Sequence, residues 1–364
     1  MPIAGTNISL DSAEGMDRIS QTEKITSPYF SNGTTTLAGS SIATSSLTDS
    51  NETYFFGISN SSTPTTEEFN VAFGDTSGHG SLVETNTKAE TEAIYKQYAS
   101  MLLAPTEVTG GFIISSPGTS GKVANGLRDD EIFVVSSRRS NMKDRINKGT
   151  WTVTLSGSNT AGTAAPKIVL TDDSVNQSPT SSPVGDRYNI VSGSAGTVVT
   201  AAAVRNYGFF YPDMGIMVFS AAELSGSIPG KGADINDTVI NADATHRGFV
   251  TATTTNANRK TAMRFINCLK EADGLTFRDE EDQVSSQYFC RIRSGQMNFS
   301  NNPTFISGSL NEIRQKTMKG NPTTFITGVQ LYNNAGDLVA VGNLSTPLKT
   351  NFTSEATIKV KLTY

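Results

Sequence analysis

The C-terminal segment, Ala356–Tyr364, alternates strictly between apolar and polar residues. Its sequence, ATIKVKLTY, places isoleucine, valine, leucine and tyrosine on one face of an extended chain and the lysines on the other. This period of two predicts a β-strand with one buried face. Two apolar segments, 324–332 and 338–344, precede it across short polar links. The sequence therefore predicts an antiparallel meander of three strands, with no helix anywhere in 324–364.

The composition favours β-structure along the rest of the chain. Of the 364 residues, 36% are hydrophobic and 17% are charged, and Ser, Thr and Gly make up much of the remainder. With 18 Phe and 10 Tyr, the chain has more aromatic residues than disordered sequences usually carry. Short apolar segments alternate with Gly, Pro, Ser and Asn clusters, which favours sheet meanders over βαβ units. The predicted fold class is α+β, dominated by antiparallel β-sheets.

Two segments, at about 87–103 and 258–272, have helical periodicity. Thr87 and Glu90 match the Ser/Thr-x-x-Glu capping box at the start of the first segment, and Pro105 follows its apolar stripe. After the second segment, Gly274 stands where a left-handed C-cap would be needed. We expect both helices to pack their apolar stripes against sheets.

The distribution of apolar residues suggests three parts of the chain. Residues 1–50 have little apolar periodicity beyond a possible short helix at 12–25, and we interpret them either as an extended arm that docks on a neighbour or as a loop-rich terminus. Residues 51–150 together with 251–364 are predicted to form a β-rich core with packed helices. Residues 151–250 are predicted to be an inserted β-rich region.

Five basic residues lie close together in a chain whose net charge is −5: Arg138, Arg139, Lys143, Arg145 and Lys148. The overall acidity argues against nucleic acid as the main partner, because phosphate binding requires a concentrated positive surface. These residues are candidate contacts to a protein partner with an acidic surface. The alternative is a solvated basic loop or a surface with internal salt bridges.

No motif predicts catalysis, a cofactor or a metal site. The histidines, His79 and His246, lie in polar stretches, and the segment PGTSGK at 117–122 lacks the spacing of a phosphate-binding loop. The acidic run 279–282 lacks the ligand spacing of a calcium loop and is interpreted as a solvated or interfacial cluster near Arg291 and Arg293. The cysteines, at 268 and 290, are expected to pack as small buried residues.

Targeting signals are also absent from the sequence pattern. The N-terminal residues lack the basic start and apolar run of a signal peptide, and no apolar stretch is long enough to span a membrane. We therefore expect a protein that is made in a cytoplasm and has no membrane span.

Several segments resemble, in their order and spacing, virion structural proteins of contractile-tailed phages of the marine and cyanophage-like myovirus type. The C-terminal GVQLYNNAGDLVAVGNLSTPLK and the alternating strand after it are part of this resemblance. The other segments are Thr91–Leu103, Asp130–Arg139, Asn147–Leu155, Tyr207–Phe219 and Phe299–Gly308. The resemblance implies a non-enzymatic baseplate component that is assembled in the host cytoplasm, resides in the virion, and contacts other tail proteins and copies of itself.

Two other functional classes stay open. A receptor-binding or fibre-attachment protein of the virion would suit the Ser/Thr/Gly-rich strands, although the chain has no repeats or heptads. A carbohydrate-active tail enzyme would need a pair of carboxylates at a defined separation, which a sequence does not measure.

Overall fold

A computed structural model describes residues 18–46, 54–78, 89–108, 110–114, 128–156, 167–199, 206–224, 257–270, 272–310 and 312–364. This part of the chain is dominated by antiparallel strands and contains two α-helices, α1 Glu90–Leu102 and α2 Ala257–Lys270. The predicted β-dominated α+β fold class is confirmed. Both histidines and the PGTSGK segment lie outside the described residues.

The strands are β1 Arg18–Pro28, β2 Thr36–Leu37, β3 Ile42–Ser46, β4 Phe55–Asn60, β5 Thr63–Asp75, β6 Glu131–Ser137, β7 Arg145–Ile146, β8 Thr152–Leu155, β9 Ile168–Asp172, β10 Thr180–Ser182, β11 Gly185–Ser194, β12 Thr197–Val198, β13 Asn206–Tyr211, β14 Ile216–Ser220, β15 Leu275–Thr276, β16 Arg278–Ile292, β17 Thr324–Tyr332, β18 Leu338–Thr350 and β19 Ala356–Thr363. Two short 3-10 helices lie at Gly39–Ser41 and Lys316–Met318.

The chain divides into two compact units. The larger unit is Ile25–Glu281, and the smaller unit combines residues 1–24 with 282–364. These boundaries differ from the predicted ones at 50, 150 and 250. Residues 18–46, which were assigned to an N-terminal arm, contain β1, β2 and β3. The prediction of a possible helix at 12–25 is wrong for residues 18–25, which are the part of it that the structure describes, because they lie in β1.

The larger unit contains a 13-stranded antiparallel sheet with the order β2-β15-β8-β9-β11-β13-β14-β6-β5-β4-β3, in which β10 and β12 are additional partners of β11. Strands β8 to β14 belong to the predicted insertion 151–250, yet they pair with strands from outside it at both of their edges. Val218 of β14 lies opposite Val134 of β6, and Val153 of β8 lies opposite Leu275 of β15. In its described residues, the middle of the chain is therefore part of the same sheet.

The central strands are buried on both faces because each helix covers one side of the sheet. Phe133 of β6 packs in one hydrophobic cluster with Phe265 of α2, whereas its neighbour Val134 packs in another with Ile94 of α1. Continuous apolar runs such as IFVV and IMVF are typical of strands covered on both sides. The predicted packing of both apolar helix stripes against a sheet is confirmed.

An aromatic cluster fills one face of the larger unit. The ring of Trp151 stacks on that of Phe277 with centroids 5.8 Å apart, and it meets the edge of Phe210 at 5.3 Å. Tyr29, from the segment assigned to the N-terminal arm, stacks on Phe69 at 4.8 Å and is almost fully buried. Residues close to the N-terminus thus help to form this core.

The helix ends differ from the predicted caps. The first helix begins at Glu90 with Ala89 as its N-cap and has no side-chain cap from Ala89, while Thr87 of the predicted capping box lies outside the described residues. Gly274 has a φ of +95°, but α2 ends at Lys270, and the backbone at Gly274 also passes close to another strand. A Cβ atom at Gly274 would lie 2.0 Å from the carbonyl oxygen of Leu37 in β2.

In the smaller unit, β17 and β18 form the predicted hairpin, and no helix occurs in 324–364. The third step of the meander is wrong, because β19 pairs with β16 instead of β18. This pairing places Ile358 opposite Cys290 and Val360 opposite Tyr288, so the apolar residues of the two strands lie on the same face of the sheet. The apolar inner face of the hairpin packs on Ile292, Ala356 and Ile358.

Candidate assembly surfaces

The predicted basic cluster lies in the larger unit and is engaged with acidic and polar groups of that unit. Arg138 lies 3.6 Å from Glu67, and Arg139 donates from Nη1 to the carbonyl oxygen of Asp144 at 3.0 Å. Lys143 forms an ion pair with Glu281 at 2.9 Å. These contacts fit the interpretation as a surface with internal salt bridges, while a contact between this loop and a partner stays a prediction.

Arg145 forms the most buried of these ion pairs. Its Nη1 donates to Glu280 at 3.1 Å, and its Nε lies 3.3 Å from a carboxylate oxygen of Asp213. The side chain of Glu280 is only 4% exposed and also accepts a hydrogen bond from the side chain of Asn147. The antiparallel pairing of β7 with the start of β16 brings these residues together, although about 135 positions separate Arg145 from Glu280.

Lys148 has a different role from that of the other basic residues. Its Nζ donates to the hydroxyl of Tyr188 at 2.6 Å and lies 4.9 Å from the centre of the same ring. The hydrogen bond to Tyr188 is the main cause of the raised pKa of Lys148, ahead of the opposing effect of burial. This lysine is therefore held against the sheet.

Of the acidic run 279–282, the first two residues are buried, so its interpretation as a solvated cluster is wrong for them. The sequence placed Arg278, Arg291 and Arg293 near this run, whereas Asp279 accepts a hydrogen bond from the backbone of Lys143 and Glu280 pairs with Arg145. Asp279 is 3% exposed, and its Oδ1 has no hydrogen-bond partner among the described residues. Burial raises the pKa of Asp279 to about 7, against the opposing effects of the Lys143 backbone N–H and the charges of Lys143 and Arg139.

Replacing Asp279 by asparagine should remove a pH-dependent loss of stability. In the unfolded chain Asp279 ionises near pH 4, whereas in the folded chain it stays protonated until about pH 7. The free energy of unfolding of the wild type should therefore fall relative to that of the variant as the pH rises from about 4 to about 7, by on the order of 2–4 kcal/mol. Urea unfolding at a series of pH values measures this difference.

The control for this prediction is Asp186→Asn, at an exposed carboxylate of the same unit. We expect its stability difference from the wild type to stay small across the same pH range. A difference between Asp279→Asn and the wild type that does not change from pH 4 to pH 8 would contradict the assignment.

The outer face of the β17–β18 hairpin exposes large apolar side chains. Phe325 is 59% exposed, Tyr332 is 55% exposed and Val341 is 57% exposed. Leu338 and Val339, next to the turn, are also exposed. The inner face of the same hairpin is covered, because Ile326, Val329, Leu344 and Leu348 pack in the hydrophobic cluster of the smaller unit. The hairpin therefore carries large apolar side chains on both faces.

The neighbouring strand β19 provides an internal comparison. Its buried face carries Ile358, and its solvent face carries Lys359 and Lys361, as an antiparallel sheet with one wet face normally does. The hairpin lacks this division, since β17 has large apolar residues at both parities, with Phe325 beside Ile326 and Leu331 beside Tyr332. That double pattern in the sequence of β17 is the signal from which this surface could have been predicted.

A second exposed apolar group lies at the open end of the hairpin. Met297 is exposed and has a φ of +51°, which is uncommon for a residue other than glycine. Its carbonyl oxygen accepts hydrogen bonds from the hydroxyls of Thr324 and Thr350. Phe352, in the turn after β18, is also exposed. The hydrogen bonds hold the backbone in this conformation while the methionine side chain stays at the surface.

Metal sites and membrane-spanning helices are absent from the described part of the chain. No group of three or more His, Cys, Asp or Glu side chains there could hold a metal ion, and no helix there is long and apolar enough to cross a membrane. Cys268 is fully buried in the core and Cys290 is half-buried against the smaller cluster, as expected for cysteines that pack.

Comparisons of the chain with protein-family models, with curated proteins and with solved structures found no match.

Proposed function

We propose that the chain is a non-enzymatic structural component of a contractile phage tail, most specifically of the baseplate, and that it acts by protein–protein assembly. The resemblance in order and spacing of the quoted sequence segments supports the tail assignment. The exposed apolar outer face of the β17–β18 hairpin supports assembly and is the single structural observation that carries it. Large exposed apolar patches on folded proteins commonly mark interaction sites.

The hairpin is suited to holding a subunit in place. A two-stranded hairpin has little stability by itself, and this one is supported on its inner face by Ile292, Ala356 and Ile358. Its outer face stays available to a partner. Burying that face would remove apolar area from water, which is the main favourable term in most protein association.

Labelling of purified particles tests the location in the virion. Antibodies against the purified chain, visualised by electron microscopy, should label the baseplate end of the tail. Antibodies raised against an unrelated protein of similar size serve as the control. Purified particles that contain no copy of the chain would contradict the proposal.

The second candidate is a receptor-binding or fibre-attachment protein of the virion. The exposed aromatic residues Phe299, Phe325 and Tyr332 favour this alternative, because such side chains also occur at recognition surfaces. The same labelling experiment separates the two, since antibodies would then label the fibre tips.

A further inference from the structure

We propose that the outer face of the β17–β18 hairpin binds the same face of a second copy of this chain, with the two hairpins antiparallel across a two-fold axis. The inference deepens the proposed role in assembly and rests on it, but it does not depend on the assignment to a phage tail. Three properties of the hairpin indicate a second copy as the partner: its apolar residues, the positions of its charges and its size.

The apolar residues occupy both ends of the outer face. Phe325 lies at the open end of the hairpin, opposite Lys349, and Tyr332 lies beside the turn, opposite Leu338. Between them Gln330 faces Val341. In an antiparallel arrangement, the open end of one copy meets the turn end of the other, so the ring of Phe325 in each copy meets the apolar group beside the turn of its partner.

The charges of the hairpin are arranged in a complementary way. Residues 324–350 contain only two charged side chains, Asp337 in the turn and Lys349 near the open end. Both residues are exposed. A parallel arrangement of two copies would place like charges together, whereas an antiparallel one places Asp337 of each copy near Lys349 of the other. Opposite charges at the rim fix the orientation and register of an interface more than they add affinity.

A two-fold arrangement lets this surface bind a second copy of itself without any other partner. In a two-fold interface each copy presents the same patch, and every contact occurs twice. Two such faces would also stack as two sheets about 10 Å apart, the ordinary packing of antiparallel sheets. A partner with a strongly charged surface would suit this face less well, because its charged groups would be buried against apolar side chains such as Val341.

The size of the hairpin sets the expected strength. Nine residues in an antiparallel strand extend about 30 Å, and two strands are about 10 Å wide. This surface is smaller than the ~800 Å² per partner of a standard interface, so the isolated contact should be weak. We expect dissociation in the micromolar range, about 1 to 100 μM, with further strengthening where several copies are held in one assembly.

Sedimentation equilibrium of the full-length chain tests the proposal. The wild type should form dimers as its concentration rises, and Val341→Asp should weaken association at least about tenfold. The matched control is Val175→Asp, because Val175 is an equally exposed valine, 64% exposed, in the larger unit. Circular dichroism and thermal unfolding of each variant verify that it is folded.

A charge exchange tests the antiparallel orientation. Asp337→Lys and Lys349→Asp should each weaken the dimer, because like charges then meet at both rims, and the double exchange should restore association to near the wild-type level. Two single exchanges without effect, or a double exchange that does not restore association, would overturn the antiparallel arrangement.

Two other outcomes would overturn the homotypic proposal as a whole. One is a chain that stays monomeric up to about 1 mM, and the other is a dimer that Val341→Asp leaves intact. If the monomeric chain is still found in particles and Val341→Asp prevents its incorporation, the face binds a different tail protein. That result would leave the proposed function standing while rejecting the second copy as the partner.

Discussion

Replacing Gly274 by alanine should destabilise the larger unit by about 3 kcal/mol or more. Two effects add at this position. A left-handed conformation, here with a φ of +95°, costs a residue with a Cβ about 1 kcal/mol, and overpacking against neighbouring atoms typically costs about 1–3 kcal/mol. The added methyl group would lie 2.0 Å from the carbonyl oxygen of Leu37, a backbone atom that can move only if β2 and β15 move apart.

The matched control for Gly274→Ala is Gly33→Ala in the same unit. Gly33 also has a positive φ, +77°, but a Cβ atom there would meet nothing within 4 Å. We therefore expect Gly33→Ala to cost only the conformational strain, about 1 kcal/mol. Urea unfolding followed by circular dichroism measures both free energies. Equal losses for the two variants would show that the approach of β2 to β15 is looser than described here.

Replacing Arg145 by leucine should destabilise the larger unit by about 3 kcal/mol. Removal of one partner of a buried ion pair leaves the other charge without adequate compensation, which typically costs about 3–5 kcal/mol. The buried side chain of Glu280 would then lose its arginine partner and keep the hydrogen bond from the side chain of Asn147. We place the loss at the lower end of the range because Arg145 is itself 25% exposed.

Two further variants show that this loss comes from the buried charge. Lys96→Leu removes a similar cation from a pair with Glu92 on the exposed surface of α1, and should change stability by less than about 0.5 kcal/mol. The double variant Arg145→Leu, Glu280→Leu should recover part of the lost stability, because no unpaired carboxylate stays buried. A double variant as unstable as the sum of the single losses would reject this explanation.

Local pattern was sufficient to locate the C-terminal strands and both helices. The predicted strands at 324–332 and 356–364 coincide with β17 and β19, and the two helical segments contain most of α1 and α2. These predictions succeed because periods of 2 and 3.6 residues are properties of consecutive side chains and need no knowledge of distant ones. The N-terminal region was the main local failure, since β1 formed in a segment whose only large apolar residues are Ile19 and Ile25.

The candidate surfaces were harder to predict, because each combines residues from separate parts of the sequence. The basic loop and the acidic run were both noticed, yet nothing in either segment indicated that Lys143 would pair with Glu281 or Arg145 with Glu280. The sequence of β17 contains the apolar residues of both hairpin faces. Which of these faces stays exposed depends on which one packs against the rest of the smaller unit.

Outside the N-terminal region, the sequence by itself determined which segments are helical and which alternate as strands. Only the tertiary structure decided the partner of β19, the continuity of strands from 152–220 with the rest of the large sheet, and the meeting of opposite charges on β7 and β16. The reason is that strand pairing depends on backbone hydrogen bonds, which every residue except proline can offer. Several strands could therefore accept β19, and the selection of β16 depends on how their apolar faces match once both are in place.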